Sequence, residues 1–594
     1  MSGDWRRPRA GACVTCRSRK RRCIPTDTGD GCRLCHAIAK PCSLSINQHA
    51  QKPSQHGPAI KEHRRLSNAS EGPLSVLASQ QIWVELVHLY FRFIHDIPHT
   101  IFHEPTFFRR LNEGSANMIH VYAMCALAAR FSNNPVFEGT SPCERGNAFI
   151  TEAIRLCQPY MISPCLDTVQ GFLLIAYYLS GEGNMDGKHV YIGLARLHAE
   201  RLSINDHPSA VFQEEFRRSW LSILITGHWS AWDMSMEPRG LPDTPDIIPN
   251  IDDATFRTTS ADLLTVSQVQ DASRLDMWAQ MAHSLEIFAK VTTLMRQLSH
   301  KMISFDEYCT RAAQVEADLD IWAANLPPKL SWNFDNLMFL APRRLGQIYL
   351  AMHIGFFHFR QMLLFPFLHA TASRYSRPDQ ATKCKESAAA VSSILQYSKT
   401  IKECDLNQFI YGHIGVVSSC VHLHTLLFSD DYRELSLARQ RLVSNFQYLM
   451  TLKSLWPIVE HHTIHLRTFQ NSCRDSISDP FVLDNWMARF LTEHTSLLSE
   501  RQLEAEGRES SRKSASGIAT PAVIPSLPTI EFLTTYQAND SNSAITGDDT
   551  PQLHDLSQLL RDQDMTGEAL VDSALNWLLD DNDYRGQTIS TWFI

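Results

Sequence analysis

No run of eighteen or more uninterrupted apolar residues occurs in the chain, so it offers no candidate membrane-spanning helix and no membrane contact is expected. The densest stretches, residues 169–179 and 348–368, are too short or are broken by Arg, Gln and His. Residues 1–12, MSGDWRRPRAGA, lack the apolar stretch of a secretory leader and carry arginines instead, which speaks against an oxidising compartment in which disulfides persist. The signatures of catalysis are missing too. Gly181, Gly183 and Gly187 lie close together, but no Gly-Lys-Ser/Thr follows to build a phosphate loop. His461, His462 and His465 have no Glu between them as in His-Glu-x-x-His, and read as core or exposed histidines rather than ligands. No Gly-x-Ser-x-Gly elbow is present. An enzyme is not expected.

What the chain does have is cysteine in a repeated word: Cys13-x2-Cys16-x6-Cys23, then Cys32-x2-Cys35-x6-Cys42. A segment of about thirty residues buries too little apolar surface to hold a fold, so disulfides or metal must hold it. The polar, arginine-rich start favours thiolates and metal over disulfides. The other nine cysteines, Cys125, Cys143, Cys157, Cys165, Cys309, Cys384, Cys404, Cys420 and Cys473, show no ligand spacing and read as small hydrophobes.

Each half of the repeat reads as a short helix starting at a Cys-x2-Cys pair, VTCRSRKRR and RLCHAIAK, with the turn residues Pro25, Gly29 and Gly31 between them. Each structural zinc takes four ligands in a tetrahedron, so six thiolates serve two zinc ions only by sharing, the natural solution having two bridging sulfurs. Six thiolates with two divalent ions leave a net negative cluster, which welcomes nearby cations. Arg17, Arg19, Lys20, Arg21 and Arg22 supply them. Charge is divided along the chain despite a formal net charge of −8. Residues 1–42 hold ten Lys/Arg and three acids, whereas residues 551–594 hold eight acids and two Arg. The two ends therefore suit different partners.

This cysteine frame with its basic run resembles the fungal Zn(II)2Cys6 binuclear zinc cluster DNA-binding domain. The resemblance covers residues 13–42. It implies two zinc ions bridged by Cys13 and Cys32, with Cys16 and Cys23 completing one site and Cys35 and Cys42 the other. It also implies that the end of the first helix enters the major groove of double-stranded DNA at a CGG-like triplet, with Arg19 and Lys20 reaching bases. The residue chemistry agrees, because guanine presents paired acceptors, O6 and N7, on its major-groove edge. Arg17, Arg21 and Arg22 then fall to phosphates, which set register and affinity rather than sequence.

Residues 43–80 are rich in Ser, Pro, Gln and His and read as a flexible linker. No sustained heptad of apolar residues occurs there, so a coiled-coil dimer is not expected and a monomer, or a homodimer formed elsewhere, is. From residue 81 the spacing becomes helical. Trp83, Val84, Val87, Tyr90, Phe91 and Ile94 mark one face of a helix that Pro98 should end. Further helices are expected at 122–131, 168–179, 191–204, 216–232, 273–301, 305–325, 343–365, 385–404 and 416–427. The acidic, Pro-bearing segment 241–271 reads as an irregular surface loop. The body, residues 81–498, resembles over about residues 81–450 the fungal-specific transcription factor domain (middle homology region), in LYFRFIHDIPHTIFHEPTF (89–107), VQGFLLIAYYLSGEGN (169–184), YIGLARLHAERL (191–202) and EEFRRSWLSILI (214–225). Residues 352–367, MHIGFFHFRQMLLFPF, could line a small-molecule effector pocket, though such composition also fills ordinary core.

Residues 499–550 are polar and Ser/Pro-bearing and read as a disordered linker. In the acidic tail, residues 551–594, Val571, Leu575, Leu578 and Leu579 fall on one face of a helix with Trp577 nearby. Acidic segments of this kind dock into grooves of transcriptional coactivators; packing back on the body is the alternative. The expected architecture is thus mostly α: a basic arm (1–12), a small zinc cluster of two helix–loop repeats (13–42), a linker, a large all-α regulatory domain and an acidic tail. The expected function is a nuclear, sequence-specific transcription factor. An interaction scaffold, or a cofactor-type regulator that does not itself read DNA, is the alternative.

Overall fold

The computed structural model describes Cys32, residues 79–97, 99–203, 209–230, 248–264, 276–368, 378–475 and 485–493, together with Asp572 and Leu575. The chain divides into two units, residues 1–70 and 71–594. Within the first unit only Cys32 is described, and it is buried. The second unit is helical. Among the described residues there is no β-strand, only isolated bridge residues such as the His95–His99 pair.

In chain order the helices are α1 (Gln80–Phe93), α2 (Glu104–Asn112), α3 (Met118–Ala128), α4 (Asn147–Cys157), α5 (Leu166–Gly181), α6 (Met185–Ala199), α7 (Ala210–Ser230), α8 (Asp253–Thr258), α9 (Met277–Ser299), α10 (Phe305–Ala324), α11 (Phe334–Leu340), α12 (Gly346–Leu364), α13 (Pro378–Thr400), α14 (Ile410–Phe428), α15 (Tyr432–Leu455), α16 (Ile458–Asp475) and α17 (Asn485–Thr492). Many starts are fixed by short polar side chains that accept from an otherwise orphaned backbone N–H of the first turn. Asn117 accepts from the N–H of Ile119 at 2.9 Å, Asp252 from Thr255 at 3.1 Å, Ser304 from Glu307 at 3.2 Å and Asn333 from Asn336 at 2.7 Å. Helix α1 ends at Phe93, before Pro98 is reached, and its last carbonyls are taken by distant side chains. Gln347 Nε2 donates to Arg92 O at 3.0 Å and Gln408 Nε2 to Phe93 O at 3.2 Å.

The helices pack in two linked groups. Helix α3 lies against α1, α4 and α5, and α5 continues to α6 and α7; further on, α9 meets α10 and α12, α12 meets α13, and α14 sits among α13, α15 and α16. Three helices are central, because they are apolar on all sides and buried on nearly all. In α5 fourteen of sixteen residues are buried, and α12 and α14 are covered in the same way. Close approach at two places requires glycine. A Cβ on Gly181 would stand 2.3 Å from the Trp456 ring, and one on Gly146 would stand 2.3 Å from the carbonyl oxygen of Ala126. Beside Gly181, the buried Arg130 spans the two groups. It donates to Leu455 O at 2.6 Å and to Glu182 Oε1 at 3.1 Å, while its guanidinium lies 3.8 Å over the Trp456 ring.

Every helix expected from residue 81 to 427 exists, with shifted ends. That expected at 191–204 stops at Ala199, and that at 385–404 starts earlier, at Pro378, and stops at Thr400. Helices α2, α4, α8, α11, α15, α16 and α17 are additional. Segment 241–271 differs in kind from expectation. Its described part, 248–264, is no irregular surface loop but carries α8, with Asp253, Phe256 and Arg257 buried. No helix among the described residues is long and apolar enough to cross a membrane. Of the linker expected at 43–80, the last two residues belong to α1, Ser79 as its cap and Gln80 as its first residue; residues 43–78, the linker 499–550, and the tail apart from Asp572 and Leu575 lie outside the described residues.

Candidate functional site

Of the residues expected to bind metal and DNA, only Cys32 is described; it is buried and not in a disulfide. Cys13, Cys16, Cys23, Cys35, Cys42, Arg17, Arg19, Lys20, Arg21 and Arg22 lie outside the described residues.

In the body, the polar chemistry converges on the segment HDIPHTIFHEPTF, which joins α1 to α2. Asp96 takes φ of 70°, a left-handed conformation that aspartate tolerates better than most residues. Its carboxylate pairs with Arg257 of α8, and the second carboxylate oxygen lies 2.9 Å from His95 Nδ1. On its other side, His95 Nε2 accepts from the Phe102 N–H at 3.2 Å, which leaves the proton on Nδ1, facing Asp96. His99 stacks on Tyr177 at 4.6 Å between ring centres, its Nε2 2.5 Å from the Tyr90 hydroxyl. His103 Nε2 lies 2.8 Å from the carbonyl of Thr259, an acceptor, so that nitrogen carries the proton; Nδ1 then accepts from Thr106 Oγ1 at 2.7 Å. Burial holds all three histidines below the ordinary imidazole value, His103 at about 4.

Below this segment lies the start of α7. Its Glu214 and Glu215 stand four and three residues before Arg218, so each neighbours Arg218 on the helix surface. Arg218 is fully employed: Nε donates to Glu214 Oε1 at 2.7 Å, one terminal nitrogen to Asp253 Oδ1 at 2.8 Å, the other to Ile251 O at 2.7 Å, and the guanidinium covers the Phe256 ring at 4.2 Å. Asp253 also accepts from the Trp278 N–H at 3.2 Å. Burial pushes its carboxyl up to about 6, against the pull of Arg218. Glu215 accepts from the His103 N–H at 2.9 Å and, among the described residues, has no cation in hydrogen-bond contact; burial outweighs that bond and pushes its carboxyl up to about 7. Arg344, which precedes α12, reaches Glu104 Oε1 at 3.2 Å, and Arg257 donates to the Arg344 carbonyl.

This is a buried ionic framework that fastens α1, α2, α7, α8 and the approach to α12 together. The partners named for its carboxylates and histidines are internal groups, so its chemistry is cohesion rather than turnover. None of it was among the expected site residues, because charges paired across the fold leave no periodic trace. The one readable sign was Glu214 and Arg218 at helical spacing within an apolar helix.

The other expected features resolve plainly. Among the described residues no group of three or more His, Cys, Asp or Glu is poised to hold a metal. His462 and His465 are core side chains, and burial takes His465 down to about 4. Residues 352–367 form most of α12 and are largely buried core. From that stretch, Leu364 and Phe367 line a cavity of about 120 Å³ with Cys309, Ala312, Ala313 and Gln380. That is well below the roughly 300 Å³ at which small-molecule sites begin.

Residues 87–311 match the fungal specific transcription factor domain, a span that contains the ionic framework from His95 to Arg257. The chain is 31% identical over 136 residues to an uncharacterized transcriptional regulatory protein of Schizosaccharomyces pombe, covering 23% of this chain and 14% of that protein. It is 21% identical over 444 residues to FTF1c, a Zn(2)-C6 fungal-type transcription factor of Fusarium oxysporum f. sp. lycopersici, covering 68% of this chain and 47% of that protein. FTF2 of the same organism is 24% identical over 143 residues, covering 24% of this chain and 12% of its own. The chain thus spans less than half the length of these relatives. No solved structure matches it. The matched domain and the relatives are those of fungal transcription regulators, not of enzymes.

Proposed function

We propose that the chain is a nuclear transcription factor that reads CGG-like triplets of double-stranded DNA through a binuclear zinc cluster at residues 13–42. The observation that carries the reading is the paired Cys-x2-Cys-x6-Cys frame with its RSRKRR run, on the same chain as a domain of fungal transcription regulators. Buried Cys32, outside any disulfide, fits a thiolate at the centre of such a cluster, and the six sulfurs suit a borderline-soft cation. When bound, the two zinc ions supply the folding free energy that a thirty-residue module lacks. Cys13, Cys16, Cys23, Cys32, Cys35 and Cys42 hold them, with Cys13 and Cys32 shared. Arg19 and Lys20 read guanine, and Arg17, Arg21 and Arg22 hold phosphates. The tail, residues 551–594, recruits coactivators.

Selection of bound sequences from a random duplex pool with the zinc-loaded full-length chain tests this. CGG-containing duplexes should be enriched. Lys20→Ala should cost about 1–3 kcal/mol on the best site and relax guanine preference, while Arg22→Ala should weaken all sequences alike. A pool that returns unselected sequences would overturn the reading.

A further inference from the structure

We propose that the face of α16 around Gln470 is an intramolecular receptor for the acidic C-terminal segment, with Leu575 as the anchor. Leu575 is 1% exposed and belongs to the apolar core of the helical body. Asp572, one helical turn earlier, accepts from Gln470 Nε2 at 2.7 Å, and Gln470 is itself only 2% exposed. The two contacts are of different kinds and share one direction, because positions i and i+3 of a helix lie on one face. A buried amide donor that meets a carboxylate is satisfied by a charge-assisted bond, which fixes the register of the approaching segment. The buried leucine adds affinity that a surface-skimming tail would not have.

The occupant is this chain's own residues 551–594. Their eight acids against two arginines keep the segment soluble when undocked, and Val571, Leu575 and Leu578 recur at i, i+4 and i+7, the stripe that a groove on a helical body accepts. The residue that would anchor the tail on a coactivator is thus the one already seated on the body. Leu575 cannot occupy both places, so docking withholds the tail from its partner. This consequence rests on the reading of 551–594 as an activation region.

The test uses the full-length chain and a substitution that leaves the tail intact. Gln470→Glu sets a carboxylate against Asp572 in a buried contact. Hydrogen–deuterium exchange across 570–580 should accelerate at least about fivefold, since an unpaired buried polar group costs about 1–3 kcal/mol and about 1.4 kcal/mol is a factor of ten. Gln470→Glu combined with Asp572→Lys should restore the slow exchange. Leu575→Ala should accelerate exchange at least about 30-fold, as expected for truncating a buried leucine, and it decides the matter if Gln470→Glu loosens the body, reported by exchange within α5. Fused to an unrelated DNA-binding domain, the Gln470→Glu chain should drive a reporter more strongly than the native chain, and the doubly substituted chain should not. Equal exchange across 570–580 in the native chain, Gln470→Glu and Leu575→Ala overturns the receptor. Faster exchange with an unchanged reporter overturns the withholding. A silent reporter from residues 551–594 alone speaks against the activation reading and leaves the exchange result to judge the receptor.

Discussion

Replacing the carboxyl of Glu215 with an amide should stabilise the protein at alkaline pH and leave it unchanged in acid. Glu215 is buried, accepts from the His103 N–H, and titrates near 7 in the folded chain against an ordinary value of 4.5. A carboxyl raised on folding binds its proton more tightly in the native state, so stability is fully present below about 4.5 and is lost as pH rises toward 7. The shift of about 2.5 units corresponds to a loss of about 3 kcal/mol by pH 8, at about 1.4 kcal/mol per unit. Gln keeps an oxygen for the His103 N–H, nearly the same volume, and no titration. Glu215→Gln should therefore exceed the native chain by about 3 kcal/mol at pH 8, by under about 1 kcal/mol at pH 5, and by nearly nothing at pH 4. Denaturant midpoints followed by circular dichroism at these three values measure the gap. A variant less stable than the native chain at pH 8 would refute the reasoning. It would mean that Arg110 and the Gln170 amide, which favour the anion, outweigh the burial that opposes it.

Arg218→Ala should act in the opposite sense, because it strips the cation from two buried carboxylates. A loss of about 3–5 kcal/mol at pH 7.5 is expected, shrinking below pH 6 as Asp253, already pushed up to about 6, takes a proton; unfolding midpoints at both pH values check it. Gly146→Ala drives a Cβ to 2.3 Å from a backbone oxygen that cannot turn aside, and should cost about 1–3 kcal/mol, read as a lowered thermal midpoint. A zinc chelator should abolish retention on CGG duplexes while leaving the far-ultraviolet helical signal of the body in place, since its ionic framework needs no metal; an intact duplex complex after chelation would contradict the cluster.

The helical class of the body was legible because burial imposes a period. In α5 and α12 the apolar residues are so dense that length decides for helix, and in α1 the stripe from Trp83 to Phe91 is plain. Ends were less legible. Helix α6 stops at Ala199 although apolar spacing runs on through Leu202, because Glu200, Arg201 and Leu202 turn back onto α6 carbonyls. Helix α8 was hidden altogether. Its acidic, Pro-bearing neighbourhood has the composition of a loop, and what orders it is Arg218, 35 residues earlier, with Asp96 farther away still. Pairing across the fold has no period for sequence to display. For the same reason the cysteine frame could be read at once, its six cysteines lying within thirty residues, whereas the ionic framework from Asp96 to Arg344 could not. The tail gave two alternatives, and its described residues, Asp572 and Leu575, lie against the body.

The end of α1 carries a consequence for how the protein is made. Its last two carbonyls wait for Gln347 and Gln408, residues 255 and 315 positions downstream, and Arg130 waits for the Leu455 carbonyl, 325 positions downstream. Synthesis proceeds from the N-terminus, so the first helices of the body emerge from the ribosome with their polar closures still untranslated. The zinc module proposed at residues 13–42 needs none of them. The nascent chain therefore passes through a long interval in which the proposed DNA reader precedes an unfinished body. On the function proposed above, transcripts cut short before codon 408 would yield a DNA reader joined to an unfinished body.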